Sequence, residues 1–173
     1  MVDVNVYVSL QQSDLHCISA FESIRHSLGF TALKGLRRYR LLRVSVATES
    51  KDTAEVEVRR FIGMAFDIVN PNKESVTFGD ISGSPDSRDV CIGMEVAPME
   101  ASLRGVSAPS LARFPMIQAV DQCLFWVLTL AKDGMDDATL IRTAEAHCGP
   151  TRSRSQGLLI NPLFETVSVR RLS

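Results

Sequence analysis

The sequence predicts an α+β fold. Its first part reads as a ferredoxin-like β-α-β-β-α-β unit, a four-stranded antiparallel sheet with two helices, and the rest as a second α+β segment, a candidate tandem copy. Three observations predict this. Residues 2–10 alternate apolar and polar side chains. Two later segments each carry one apolar stripe at helical spacing. An Asn-Pro step followed by a short strand occurs twice, at Asn70-Pro71 and at Asn161-Pro162.

In the first strand Val2, Val4, Val6, Val8 and Leu10 alternate with Asp3, Asn5, Tyr7 and Ser9. A period of two buries one face, and β-branched valine suits a pleated surface. Ser13 or Asp14 caps the first helix, whose stripe is Leu15, Ile18, Phe21, Ile24 and Leu28. Gly29 ends it in a left-handed conformation. Residues 33–46 read as two strands with a turn near Tyr39, although no Gly or Asn stands at the tip. Asp52 or Thr53 opens the second helix, with Val58, Phe61, Ile62, Ala65 and Val69 as its apolar face. Asn70-Pro71 stops it, and Glu74 to Phe78 is the last strand of the unit. With both helices on one side, the other sheet face, carrying Tyr7 and Arg43, is open to a partner or ligand.

Residues 79–89 form a linker rich in Gly, Ser and Asp. The domain reading is therefore residues 1–80 as the first unit and 88–173 as the second, either a degenerate repeat of the first or an unrelated α+β extension. In the second, Val90, Ile92, Met94 and Val96 alternate as a strand. Pro115 opens a helix with Ile117, Val120, Leu124, Val127, Leu128 and Ala131 on one side. Phe125 and Trp126 serve packing. Asp136 or Asp137 caps a further helix through His147, which Gly149-Pro150 ends. A strand over 165–169 closes the pattern.

Composition narrows the function classes. The chain has 173 residues, 45% hydrophobic and 23% charged, and a net charge of −1. This is a globular composition with no bulk attraction for nucleic acid. Fifteen of the 19 basic residues are arginine, which suits bidentate contacts. No apolar run reaches the roughly 18 residues of a spanning helix, and no signal peptide is evident, so the expected location is cytoplasmic. Cys17, Cys91, Cys123 and Cys148 make no CxxC and read as free thiols. The dipeptides His16-Cys17 and His147-Cys148 could place four ligands on a metal, but neighbouring side chains diverge, so ordinary packing is the simpler reading. Arg152 and Arg154 form a small basic loop. No cofactor motif, metal site or acid–base pair in motif context stands out, so no catalytic residue is assigned.

The residues over 2–79 resemble the small S subunit of phosphoribosylformylglycinamidine synthase, a complex of purine biosynthesis. The matching parts are Val4 to Leu10, Leu28-Gly29, Leu36-Arg37-Arg38-Tyr39-Arg40, Leu42 to Val46, and Asn70-Pro71 followed by Glu74. Arg37 stands at the family's arginine and Arg40 at its lysine, while Tyr39 replaces its glycine. The resemblance implies an accessory subunit of an ATP-dependent amidoligase complex. Such a subunit has no activity of its own. It bridges a glutaminase and a synthetase subunit and supports ammonia transfer between them. Its expected contact residues are Tyr7, Arg37, Tyr39 and Arg40, and its expected partners are those two subunits. Self-association, or an internal pseudo-dimer of the two halves, is expected too, because a half-covered sheet tends to associate. The alternatives are a small-molecule-sensing regulatory domain of ferredoxin-like fold, which lacks a glycine-rich first loop here, and an RNA-binding module, for which Tyr7 is the one clear sheet aromatic.

Overall fold

The computed structural model describes residues 1–83, 88–148, 159–161 and 163–172. Among these, six strands and three α-helices are present. They are β1 (Val2–Leu10), α1 (Leu15–Glu22), β2 (Leu33–Val46), α2 (Lys51–Ile62), β3 (Glu74–Phe78), β4 (Asp89–Pro98), β5 (Ile117–Ala131), α3 (Asp137–Cys148) and β6 (Glu165–Leu172). The strands form one sheet in the order β3-β1-β2-β5-β4-β6. The four-stranded ferredoxin-like sheet with two helices is therefore incorrect for this chain.

Two local errors account for the difference. Residues 33–46 make one uninterrupted strand rather than a hairpin. A two-residue turn needs positive φ at its tip, and the sequence supplies Arg37, Arg38, Tyr39 and Arg40 there, none of which relaxes into it. Residues 117–131 are strand β5, not a helix behind Pro115. The i, i+3, i+4 stripe is real, but Ile117, Val120, Val127 and Thr129 are β-branched and Phe125 and Trp126 aromatic, β4 pairs with residues 124–131, and β5 stands between β2 and β4 in the sheet. Packing decides between two readings that periodicity leaves open.

Other elements follow the residues more closely. Asp14 caps α1, its side chain accepting the His16 and Cys17 amides. The α-helix gives way to a π-helical turn over Ser23–Ser27. The buried face carries Cys17 and Ile24, seven residues and about two turns apart, and Leu15 and Ile18 lie on other sides of the helix and are exposed. Gly29 has φ of 71°, as its place after the helix requires. Ser50, two or three residues before the expected cap, accepts the Thr53 amide at the start of α2. Val58, Phe61, Ile62, Ala65 and Val69 are all buried, but α2 ends at Ile62 with Gly63 as its C-cap rather than at Asn70-Pro71, and Ala65 and Val69 lie in the turns beyond it. Asp136 accepts the Thr139 amide at 2.9 Å and so caps α3. Gly149-Pro150, Arg152, Arg154 and Pro162 lie outside the described residues.

The chain divides into two compact units, each with its own core. Unit 1 takes Met1–Gln12, Tyr39–Asp80 and Ala101–Cys123, and unit 2 takes Ser13–Arg38, Ile81–Glu100 and Leu124–Ser173. Strands β2 and β5 each give one part to each unit. The core of unit 1 joins Val4, Val6, Val8, Leu42, Val44 and Val46 to Ala54, Val58 and Phe61 of α2. The core of unit 2 joins Ile92, Met94, Trp126 and Leu128 to Cys17, Ile24, Leu140, Ala144 and Cys148.

Candidate functional site

The residues singled out by sequence separate into different environments. Tyr7 leaves the sheet on the side opposite Val6 and Val8. It is 0% exposed, so this part of the sheet face is covered rather than open. Its ring meets that of Tyr39 edge to face, with centroids 6.0 Å apart. Arg37 is exposed and belongs to unit 2.

Arg40 is the centre of a polar knot in unit 1. Its register partner on β1 is Val8. The guanidinium donates to Ile68 O at 2.8 Å and to Glu74 Oε1 at 2.9 Å, and a longer contact reaches Gln122 Oε1 at 3.4 Å. The other carboxylate oxygen of Glu74 accepts the Asn70 amide at 2.8 Å. Asn70 in turn accepts the Asn72 amide on its side chain at 3.0 Å and the Glu74 amide on its carbonyl at 2.8 Å. Gln11 Nε2 closes the turn on Pro71 O and Glu74 O. A charged hydrogen bond inside such a network is stronger than a neutral one and fixes the turn against β2.

The same turn occurs again before β6. Glu165 Oε2 accepts the Asn161 amide at 2.7 Å, Asn161 Oδ1 accepts the Leu163 amide at 3.2 Å, and Asn161 O accepts the Glu165 amide at 2.8 Å. Even the link to the preceding strand recurs. Gln11 N donates to Lys73 O at 2.9 Å, and Met99 N donates to Phe164 O at 2.8 Å. Sequence reasoning noticed the repeated Asn-Pro but not that a glutamate four residues beyond each asparagine ties the turn.

Two clefts adjoin these elements. In unit 1 a cavity of about 300 Å³ is lined by Arg59, Ile62, Phe66, Val69, Val76 and Phe78, among others. Phe66 is 67% exposed at its mouth, and the Arg59 guanidinium lies 4.2 Å from the Phe78 ring centroid. In unit 2 a cavity of about 360 Å³ is lined by Cys17, Ile18, Phe21, Lys34 and Leu36 among others. Both are mainly apolar.

The thiols and histidines do packing work. Cys17 Sγ donates to Leu36 O at 3.1 Å. Burial first, and Asp14 second, push its pKa up, with Arg38 opposing. Burial pushes the Cys148 thiol to about 12. A thiol held protonated is a poor nucleophile. The His147 ring stacks on Phe30 with centroids 4.8 Å apart, and His16 is exposed. Among the described residues no group of three His, Cys, Asp or Glu side chains is placed to hold a metal ion, and no helix is long and apolar enough to cross a membrane. Comparison with protein-family models, with curated proteins and with solved structures finds no match.

Proposed function

We propose that this chain is a protein-contact subunit, and specifically the bridging subunit of a phosphoribosylformylglycinamidine synthase complex, whose second half is a diverged copy of the first. One observation carries this reading. Arg40, Asn70 and Glu74, which carry much of the resemblance although they are far apart in sequence, meet in one hydrogen-bonded knot. The resemblance therefore rests on residues that depend on one another physically rather than on scattered matches. The recurrence of the Asn/Glu turn at Asn161 and Glu165 supports the diverged copy.

The role follows from where the side chains are committed. Arg40 places its guanidinium on Glu74 and Ile68, so it holds the fold and is not offered to a partner. Tyr7 and Tyr39 stiffen β1 against β2. Arg37, exposed on β2, is the family-matched side chain that a partner would meet. The bridging subunit would then present fixed surfaces to the synthetase and the glutaminase without performing chemistry.

Reconstitution tests this. Purified chain, synthetase and glutaminase are mixed and glutamine-dependent amidation is measured. The chain alone is expected to turn nothing over, and adding it is expected to restore amidation. Equal amidation from glutamine without it overturns the reading. Arg37→Ala is expected to weaken restoration while leaving the melting temperature unchanged.

A further inference from the structure

Strand β3 stands at one end of the sheet order and pairs with β1 alone among the described residues. Its outward side can be worked out from its hydrogen bonds. Lys73 O takes the Gln11 amide, and Gly79 N donates to Asn5 O at 3.3 Å. In an antiparallel ladder alternate residues aim their backbone groups at the same neighbour. Residues 73, 75, 77 and 79 therefore face β1, and Glu74, Val76 and Phe78 face outward. Glu74 is already satisfied, its amide by Asn70 O and its carbonyl by Gln11 Nε2. The amides and carbonyls of Val76 and Phe78 have no partner among the described residues.

The side chains of these two residues are half-buried and line the 300 Å³ cavity beside Phe66. Charge or proline usually blunts an edge strand. The other end strand, β6, carries Arg170 and Arg171. β3 is Glu-Ser-Val-Thr-Phe, with no basic residue and no proline.

We propose that β3 is a self-pairing edge, through which two copies of this chain associate about a two-fold axis at Thr77. An axis there sets Val76 of one copy opposite Phe78 of the other, twice. Each such pair exchanges two N–H···O=C bonds, so every free backbone group on both edges is satisfied. An axis at Val76 would instead require the Glu74 groups, which the turn already uses. A β-branched residue opposite an aromatic one is a favourable cross-strand pair. The same register runs the two clefts together at the mouths where Phe66 is exposed.

The occupant is a second copy rather than a longer extended peptide because of how the edge ends. The Asn70 turn closes it on one side and Gly79, with φ of 82°, on the other. Four groups are available, and another β3 offers the same four in complementary order. This pairing is independent of contact with a synthetase or glutaminase.

Sedimentation equilibrium of the full chain over a range of concentrations tests the pairing. The mass is expected to rise from 19.0 kDa to twice that value. Hydrogen exchange at the Val76 and Phe78 amides is expected to slow as concentration rises. Val76→Pro removes an outward N–H and no bond to β1, so the circular dichroism spectrum is expected to stay native while dimerisation weakens at least about tenfold. Val76→Lys keeps the backbone and puts a charge in the joined cleft, and the same weakening is expected should the proline variant not fold. A 19.0 kDa mass up to high micromolar concentration overturns the proposal, as does a dimer that Val76→Lys leaves intact.

Discussion

Glu165 repeats in the second half what Glu74 does in the first. Each carboxylate accepts the amide of the asparagine four residues before it, at 2.7 and 2.8 Å. The difference between them is Arg40, which adds a 2.9 Å ion pair to Glu74 and has no counterpart at Glu165 among the described residues. Removing either carboxylate leaves a turn amide without its acceptor, which costs about 1 kcal/mol. Removing Glu74 also leaves the partly buried Arg40 guanidinium without its counter-charge, so Glu74→Ala is expected to cost about 2–3 kcal/mol and Glu165→Ala about 1 kcal/mol. Urea denaturation of the two variants checks the order. Equal losses would mean that the ion pair contributes nothing beyond the turn bond.

The elements that the sequence made legible are those whose local signal and packing agree. β1 has a period of two and buries Val4, Val6 and Val8. α2 buries Val58, Phe61 and Ile62 of its stripe, but it ends at Ile62 with Gly63 as its C-cap, so Ala65 and Val69 are buried in the turns that follow it. The Asn70 turn was marked by its proline. The misread elements are those where two local readings compete. Residues 117–131 satisfy a helical stripe and a strand, and a place in the sheet between β2 and β4 selects the strand. Tyr39 sits where a hairpin would need a glycine, which argued against the turn, and the continuous β2 turns the expected four-stranded sheet into part of one with six strands. The polar knot was half legible. Arg40 was marked as a contact residue, but its bond to Glu74 joins positions 34 apart, and no local pattern announces such a pair. The free backbone groups of β3 depend on which way its alternate residues face, which only the pairing with β1 fixes.

The cap of α3 makes stability depend on pH. Asp136 accepts the hydroxyl and the amide of Thr139 at 2.6 and 2.9 Å, and these bonds, the hydroxyl first, lower its pKa. A carboxyl with a lower pKa in the folded state binds fewer protons there than when unfolded. Its contribution is therefore present above the unfolded value of about 4 and is lost as pH falls through the folded one. Asp136→Ala is expected to melt at a lower temperature than the parent at pH 7. The gap is expected to close as both are melted at successively lower pH below about 4. A gap independent of pH would assign the effect to helix propensity at this position.

Thiol labelling separates the four cysteines. Cys148 is 0% exposed, and burial raises its pKa from 9.0 to about 12. At pH 8 that lowers its thiolate fraction by about a thousandfold. Cys17 is shifted in the same direction and is bonded to Leu36 O. Cys91 is buried, and Cys123 is the half-buried one. Native protein is expected to react with a chromogenic disulfide first at Cys123, with Cys148 released only on unfolding. Peptide mapping after a short pulse identifies the labelled site, and early label at Cys148 would show that α3 opens readily.

The winding of the first helix gives the sharpest test of its packing. Leu15, Ile18 and Ile24 read as one stripe because they recur every three residues, yet Leu15 is 75% exposed, Ile18 48% and Ile24 0%. Steps of three drift around the helix, so at about 100° per residue Leu15 stands half a turn away from Ile24, whereas Cys17, seven residues before Ile24, shares its face and is buried with it in the core of unit 2. An aspartate at position 24 would put a carboxylate into the apolar cluster that includes Cys17, Phe30 and Leu33. Such burial costs several kcal/mol, a large part of the 5–15 kcal/mol that typically holds a domain together. Ile24→Asp is therefore expected to be unfolded or strongly destabilised at 25 °C. Leu15→Asp, about two and a half turns earlier and on the opposite side of the helix, is expected to change stability by no more than about 0.5 kcal/mol. It adds an acidic group to the helix N-terminus, where the backbone dipole favours one. Thermal melts of both variants decide it. Equal destabilisation would mean that Leu15 is buried as well, and an unchanged Ile24→Asp would place that residue at the surface.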